Sequence, residues 1–243
     1  MVKTITTNFP GGVTDASPDE TMGSYVLQDP TSTHELFDDF NSLSVGTTGT
    51  DWLATKVGTT PTTVVASEEG SSILITTSTG ASDSCFLQWL GKNASAVAES
   101  FSPEAGRSCW FKTRVKTSDV ILNNLVFGLQ ITDTTPLAVS DGLYFIKPSG
   151  AATVNFISAA TSVLTTSTAI ATMVNATYQT FGFYYNGVDS IKLFVNDLVV
   201  GGQGVTTLTA HTLALSFGIQ NSTGVAQTMN VDYIFAAEER PYP

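Results

Sequence analysis

From about Leu36 onward, apolar side chains recur at every second position in short runs. Leu125, Phe127, Leu129 and Ile131 fall on one side of such a run. So do Phe181, Phe183 and Tyr185; Ile191, Leu193 and Val195; Leu215, Phe217 and Ile219; and Val231, Tyr233 and Phe235. Successive side chains of a strand point to opposite faces, so a period of two marks strands with one face buried. The pattern predicts strands near 36–40, 62–66, 72–77, 85–90, 107–117, 124–132, 142–147, 153–157, 162–168, 178–185, 190–195, 198–201, 213–220 and 228–237. Helical spacing is nearly absent. Only Asn93–Phe101 reads as a short helix, or else as a flexible loop before Pro103.

Turn chemistry supports the same picture. Within Phe181–Val200, Asn186-Gly187 and Asn196-Asp197 are residues that tolerate positive φ, as two-residue hairpin loops require. The stretch 44–61, dense in Gly and Thr, reads as a long loop holding Trp52. No internal repeat points to a propeller or solenoid. The expected fold is therefore all-β, an antiparallel two-sheet sandwich. A chain of 243 residues fits one such domain.

Residues 1–33 differ from the rest. Phe9-Pro10-Gly11-Gly12, Ser17-Pro18-Asp19-Glu20 and Asp29-Pro30-Thr31-Ser32 are breaker clusters without periodicity between them. They predict an extended arm ahead of a domain at 34–243. The scattered apolar residues Val2, Ile5, Phe9, Met22, Tyr25, Val26 and Leu27 suggest that the arm docks on something. A solvated tail would be poorer in them. Phe9, Tyr25, Val26 and Leu27 are its expected anchors.

Charged residues are only 13% of the chain, and the net charge of −11 with a pI near 4.3 argues against nucleic acid or an anionic membrane as partner. Met1–Pro10 lacks the apolar centre of a secretion signal, and no run reaches the roughly 20 apolar residues of a membrane-crossing helix. Asn93-Ala94-Ser95, Asn175-Ala176-Thr177 and Asn221-Ser222-Thr223 match the glycosylation triplet at a rate that chance explains in so Thr-rich a chain. Cys85 and Cys109 read as buried free thiols, with a disulfide as the alternative.

Candidate chemistry is thin. Glycoside hydrolysis needs two carboxyl groups across a cleft. Asp38-Asp39 and Glu68-Glu69 are adjacent, so on a strand the members of each pair would face apart, and Glu238-Glu239 sits at the terminal edge. His34 and His211 are the only histidines, and no nucleophile elbow accompanies them. Two cysteines and two histidines without ligand spacing make no zinc site. Loop carboxylates Asp133, Asp141, Asp189 and Asp197 either serve turns or hold calcium with loop carbonyls. The strongest surface candidate is the strand Arg107–Lys116. There period two puts Cys109, Phe111, Thr113 and Val115 on one face and Trp110, Lys112, Arg114 and Lys116 on the other. That second face is a contact patch for an acidic partner or a sugar stacked on Trp110, or else long stems covering an outer sheet face. Trp89, in parity with Cys85 and Leu87, reads as core; Trp52 reads as a plug between the sheets or as a sugar platform.

Three passages resemble the concanavalin A-like lectin/glucanase superfamily, the jelly roll that includes laminin-G-like modules. Glu35–Asn41 is similar to its first strand, Thr177–Val200 to its adjacent hairpins, and Met229–Ala236 to its closing strand. The glucanase pattern Glu-x-Asp-x-Glu is missing, as is a calcium-lectin Asp/Asn cluster, so the resemblance implies the fold without an enzyme and without a cofactor. The arm and the low-charge, Thr-rich surface resemble capsid decoration (cement) proteins of tailed bacteriophages. That implies a virion location, the major capsid protein as partner, and a homo-oligomer, dimer or trimer. The alternative is a lectin-like carbohydrate-binding module, free or on a phage fibre, reading a host-surface glycan through Trp52, Trp110 or Tyr144.

Overall fold

A computed structural model describes residues 32–47, 49–59, 61–66, 71–94, 100–205, 208 and 211–240. Among the described residues, sixteen strands form two eight-stranded sheets. The first runs β14 (Leu198–Gly204), β13 (Ser190–Val195), β12 (Gln179–Tyr185), β7 (Cys109–Thr117) and β16 (Thr228–Glu239). Beyond β16 its far edge is shared. β5 (Ser72–Thr76) pairs with residues 228–231 and leads on to β4 (Thr62–Ala66), while β1 (Thr33–Asp38) pairs with residues 234–239. The second sheet runs β11 (Val163–Thr172), β10 (Thr153–Ala160), β9 (Gly142–Lys147), β8 (Asn123–Gln130), β15 (Ala214–Asn221), β6 (Ser84–Ala94), β3 (Thr50–Val57) and β2 (Val45–Gly46). Every pairing is antiparallel except β2 with β3.

The inward halves of the alternating runs fill the space between the sheets. Phe127, Phe145, Phe181 and Phe183 are fully buried there with Phe111 and Phe156, and neighbouring rings lie 5.1–6.3 Å apart. Such offset and edge-to-face contacts add to the burial of six large side chains. A second aromatic group closes the other end. Trp52 lies 5.0 Å from Phe217, 5.1 Å from Trp89 and 5.9 Å from Phe40, and its Nε1 donates to Asp38 Oδ2 at 2.9 Å. The open edges of the two sheets meet where β11 and β14 lie side by side. There Ser167 Oγ donates to Gln203 Oε1 and Gln203 Nε2 donates to the Thr165 carbonyl.

Several expectations need correction. The stretch 44–61 is not a long loop, because it contributes β2 and β3. It escaped the alternation rule because Trp52 is its single fully buried position, and its remaining Thr, Asp and Lys side chains line an edge. Asn93 and Ala94 belong to β6 instead of starting a helix; residues 95–99 lie outside the described residues. The turn at Asn186-Gly187 is a four-residue loop, with Asn186 Oδ1 accepting from the amides of Val188, Asp189 and Ser190. Asn196-Asp197 does form the two-residue hairpin, with φ of 49° and 65°. Finally, Val231 does not share a face with Tyr233 and Phe235. A bulge at Asp232 shifts the register against β7, so Val231, Ile234 and Ala236 point into the core while Phe235 and Ala237 point outward.

Cys85 and Cys109 are free and buried. Burial pushes the Cys85 thiol up to about 11 and raises that of Cys109 well above its ordinary value, the latter also by the charge of Glu238.

Candidate recognition surfaces

A recognition surface needs aromatic, hydroxyl or carboxylate groups that converge, and the sandwich offers three places where they do. The first is the outer face of the first sheet. Pairing across β16, β7, β12 and β13 sets Ala237, Trp110, Tyr184 and Lys192 in one row, and Phe235, Lys112, Gly182 and Phe194 in the next. Trp110, Lys112, Arg114 and Lys116 stand on this face, opposite Phe111 and Val115. Trp110, however, is not an open platform. It is 3% exposed and packs with Phe194, Phe235, Ala237 and, at 5.4 Å between rings, Tyr184. The cations are matched: Lys112 Nζ lies 2.7 Å from Asp197 Oδ1, and Arg114 lies 2.5 Å from Asp232 Oδ2. Arg114 and Lys116 also sit 4.3 and 4.4 Å over the Tyr178 ring. Periodicity pointed to the four β7 residues. It gave no sign of Tyr178, Asp197 and Asp232, which hairpin geometry and the bulge bring alongside them.

The outer face of the second sheet is the second place. Tyr144, 1% exposed, sits there with Phe86, Val126, Ile157 and Ala159. The segment 131–141 lies over them, adding Val139 and Leu137. Two amides fix it: Gln88 Nε2 donates to the Ile131 carbonyl at 3.1 Å and its Oε1 accepts from Asp133 N at 3.0 Å, while Gln130 Nε2 donates to the Pro136 carbonyl at 2.8 Å. Gly128 is required beneath this cluster, since a β-carbon there would lie 2.5 Å from the Leu143 carbonyl oxygen. Burial raises the Tyr144 phenol to about 12.

The third place is a cleft of about 600 Å³ at one end of the sandwich, lined by Thr59, Thr62, Thr76, Thr77, Ser78 and Thr79 with Asp83, Gly80 and Ala226. Its walls come from the start of β4, the end of β5 and the turn 77–83. Asp83 is set in that turn by accepting from Gly80 N at 2.8 Å. Thr77 is a structural member, since its Oγ1 accepts from Gln227 N at 2.9 Å. Alternation rules do not flag such a cleft, because a run of Thr and Ser at a strand end reads as an ordinary turn.

Carboxylates elsewhere are tied to backbone amides, to side-chain amides or to cations. Asp38 Oδ1 accepts from Phe40 N, Glu238 Oε2 from Ser102 N, and Glu239 Oε2 from Ser108 N. Burial raises the carboxyl groups of Asp38 and Glu238 above their usual range. Asp133 caps Thr135, Asp141 accepts from Thr161 N, Asp189 accepts from Asn186 Nδ2, and Asp197 pairs with Lys112. Among the described residues no three His, Cys, Asp or Glu side chains cluster as a metal site. His34 stacks on Phe101 at 4.9 Å between rings, and burial followed by the charge of Arg240 lowers its pKa. Lys147, which pattern reading passed over, is fully buried. Its ammonium donates to the carbonyls of Val120, Asn123 and Pro148, and burial pulls it down to about 8. Phe9, Tyr25, Val26, Leu27 and the pair Glu68-Glu69 lie outside the described residues. Among the described residues no helix is long and apolar enough to cross a membrane.

With this geometry in place, solved structures of the same shape can be compared. The chain superposes on the carbohydrate recognition domain of Emp47p with a TM-score of 0.55 at 12% identity, covering 86% of this chain and 98% of that one. It superposes on the protein of unknown function SO2946 from Shewanella oneidensis MR-1 with a TM-score of 0.57 at 16% identity, covering 89% and 98%. An endo-β-1,4-glucuronan lyase from the fungus Trichoderma reesei gives 0.51 at 9% identity, covering 83% and 94%. At these identities the likeness is one of fold: a two-sheet, lectin-like jelly roll that carries recognition in one neighbour and catalysis in another. No family model matches the chain, and no curated protein matches it in sequence.

Proposed function

We propose that the chain is a carbohydrate-recognising sandwich with no catalytic activity of its own. The observation that carries this reading is the hydroxyl-lined cleft built on a fold that a carbohydrate recognition domain shares. Threonine and serine hydroxyls both donate and accept, as sugar hydroxyls do, and Asp83 supplies one acceptor-only carboxylate at the rim. Asp38, Glu238 and Glu239 accept from backbone amides and Asp197 and Asp232 pair with cations, which supports binding over hydrolysis. Trp52, Trp110 and Tyr144 are each 3% exposed or less, so recognition rests on hydrogen bonds and not on stacking against those rings. A glycan array identifies the sugar, and titration calorimetry of the hit measures it. Thr62→Val with Thr79→Val, both at exposed positions of the cleft, is expected to weaken binding about tenfold or more, the effect of two lost hydrogen bonds. No glycan bound at millimolar concentration, or release of new reducing ends from a polysaccharide, would refute the proposal.

A second reading is favoured by the low-charge surface and by the apolar positions within residues 1–31. In it, a dimer or trimer of the chain decorates the capsid of a tailed bacteriophage, held on the major capsid protein through Phe9, Tyr25, Val26 and Leu27. Co-sedimentation with intact capsids in near-stoichiometric amount is its expected outcome; a protein that stays in the supernatant rules it out.

A further inference from the structure

The hydroxyl-lined cleft holds one charged side chain among its lining residues, Asp83. Resting on the reading that this cleft binds carbohydrate, we propose that it admits glycans without an acidic group and rejects uronic and sialic acids, with Asp83 as the discriminating residue.

Asp83 is set in place before any ligand arrives. The turn 77–83 is strapped to the end of β15. Asn221 N donates to the Asp83 carbonyl at 2.8 Å, and Ser82 N donates to the Asn221 carbonyl at 2.9 Å. Asn221 Nδ2 donates to the Ser78 and Gly80 carbonyls at 3.2 and 3.3 Å. The carboxylate itself is wedged between two glycines. A β-carbon at Gly58 would lie 2.5 Å from Asp83 Cγ, and one at Gly80 would lie 2.8 Å from both carboxylate oxygens. Gly80 N donates to Oδ2, while among the described residues Oδ1 has no donor and remains an acceptor at the cleft. A group fixed in this way loses little freedom when a ligand binds it.

The surroundings of Asp83 decide the sign of its effect. Its companions in the lining are Thr, Ser, Gly and Ala, so among the described residues no cation lines the cleft. The sequences that build the walls, 58–66, 72–83 and 222–228, contain no Lys, Arg or His. Lys56, the nearest cation along β3, stands opposite Cys85 in the ladder and is not part of the lining. A carboxylate accepts and never donates, which suits a sugar hydroxyl as its donor. An acidic sugar in the same place would set two negative charges together with no cation between them. It would also lose water without gaining a partner for its charge. The net charge of −11 acts in the same direction at longer range.

Glycan-array screening of the full-length chain tests the proposal, followed by titration of the best hit. The partner probe is the same glycan with one C6 hydroxymethyl group oxidised to a carboxylate. The hit is expected to bind about tenfold or more tightly than its oxidised counterpart, with the gap narrowing as salt is added. Asp83→Asn, which keeps an acceptor for Gly80 N, is expected to weaken the hit about tenfold and to shrink the gap at an unchanged melting temperature. Should that variant melt earlier, the comparison of the two probes on the unaltered chain decides alone. Array hits dominated by uronic or sialic acids, or equal affinity for the two probes, overturn the proposal while leaving the cleft a sugar site. Unchanged selectivity in a stable Asp83→Asn overturns the role of Asp83. An array without any hit removes the sugar-binding reading, and the proposal falls with it.

Discussion

The two outer faces of the sandwich solve one problem in different ways. Each sheet carries an apolar cluster on the side away from the shared core, and in each a large aromatic is almost wholly buried: Tyr144 on the second sheet, Trp110 on the first. On the second sheet the cover is a local excursion, 131–141, leaving from β8 and returning to β9, with Gln88 and Gln130 as its ties. A short cover between adjacent strands costs little closure entropy. On the first sheet the cluster is assembled from β7, β12, β13 and β16, with ion pairs Lys112–Asp197 and Arg114–Asp232 around it. An outer face can thus be filled by the segment that joins two neighbouring strands or by side chains gathered from four strands far apart in sequence. Only the first solution is visible in local geometry.

The comparison can be broken from either side. Trp110→Ala should have the largest effect, about 3–5 kcal/mol lost from unfolding in denaturant, as for other large-to-small changes at buried aromatic sites. Phe37→Ala on the same face is the control, within about 0.5 kcal/mol because Phe37 is 61% exposed. On the second face, Gly128→Ala forces a β-carbon against the backbone of Leu143 and Tyr144 and should cost about 1–3 kcal/mol. A neutral result there would mean that β8 and β9 can part without disturbing segment 131–141. Arg114→Met should cost less than about 1 kcal/mol, and less still as salt is added, since the guanidinium is 42% exposed and its pairing with Asp232 is screened.

The smallest effect concerns pH and lies at the end of the sandwich, away from both faces. His34 is held neutral in the fold, its pKa below the ordinary 6.5, so the unfolded chain takes up a proton first as pH falls. Its contribution is present above 6.5 and fades as pH drops through 6.5 towards the lower native value. Glu238 acts oppositely. Its raised pKa makes its contribution greatest below 4.5 and smaller as pH rises through the native value. In chemical unfolding from pH 7.5 to 5, His34→Gln should therefore lose less stability on acidification than the unaltered chain; an identical pH dependence in the two removes His34 as a contributor.

How much of this could be read from the sequence depended on distance along the chain. Alternation within a strand is local, so β4, β9 and β13 appear where the pattern put them, and the two faces of β7 sort as expected. The bulge at Asp232 was hidden, because nothing in Val231-Asp232-Tyr233 signals an extra residue until β7 is laid against it. The burial of Trp110 was hidden for the same reason: Phe194 and Phe235 reach it from 84 and 125 positions away. β3 was missed because Trp52 alone marks its buried side. The hydroxyl cleft was missed because its residues are individually ordinary and meet only at the sandwich end.

The two thiols carry a consequence for where the molecule can live. The reactive form of cysteine is the thiolate, and burial suppresses it at both Cys85 and Cys109. Oxidants and mixed disulfides therefore find no target while the chain is folded. Moving it between a reducing cell interior and an oxidising exterior should leave its melting temperature where it was.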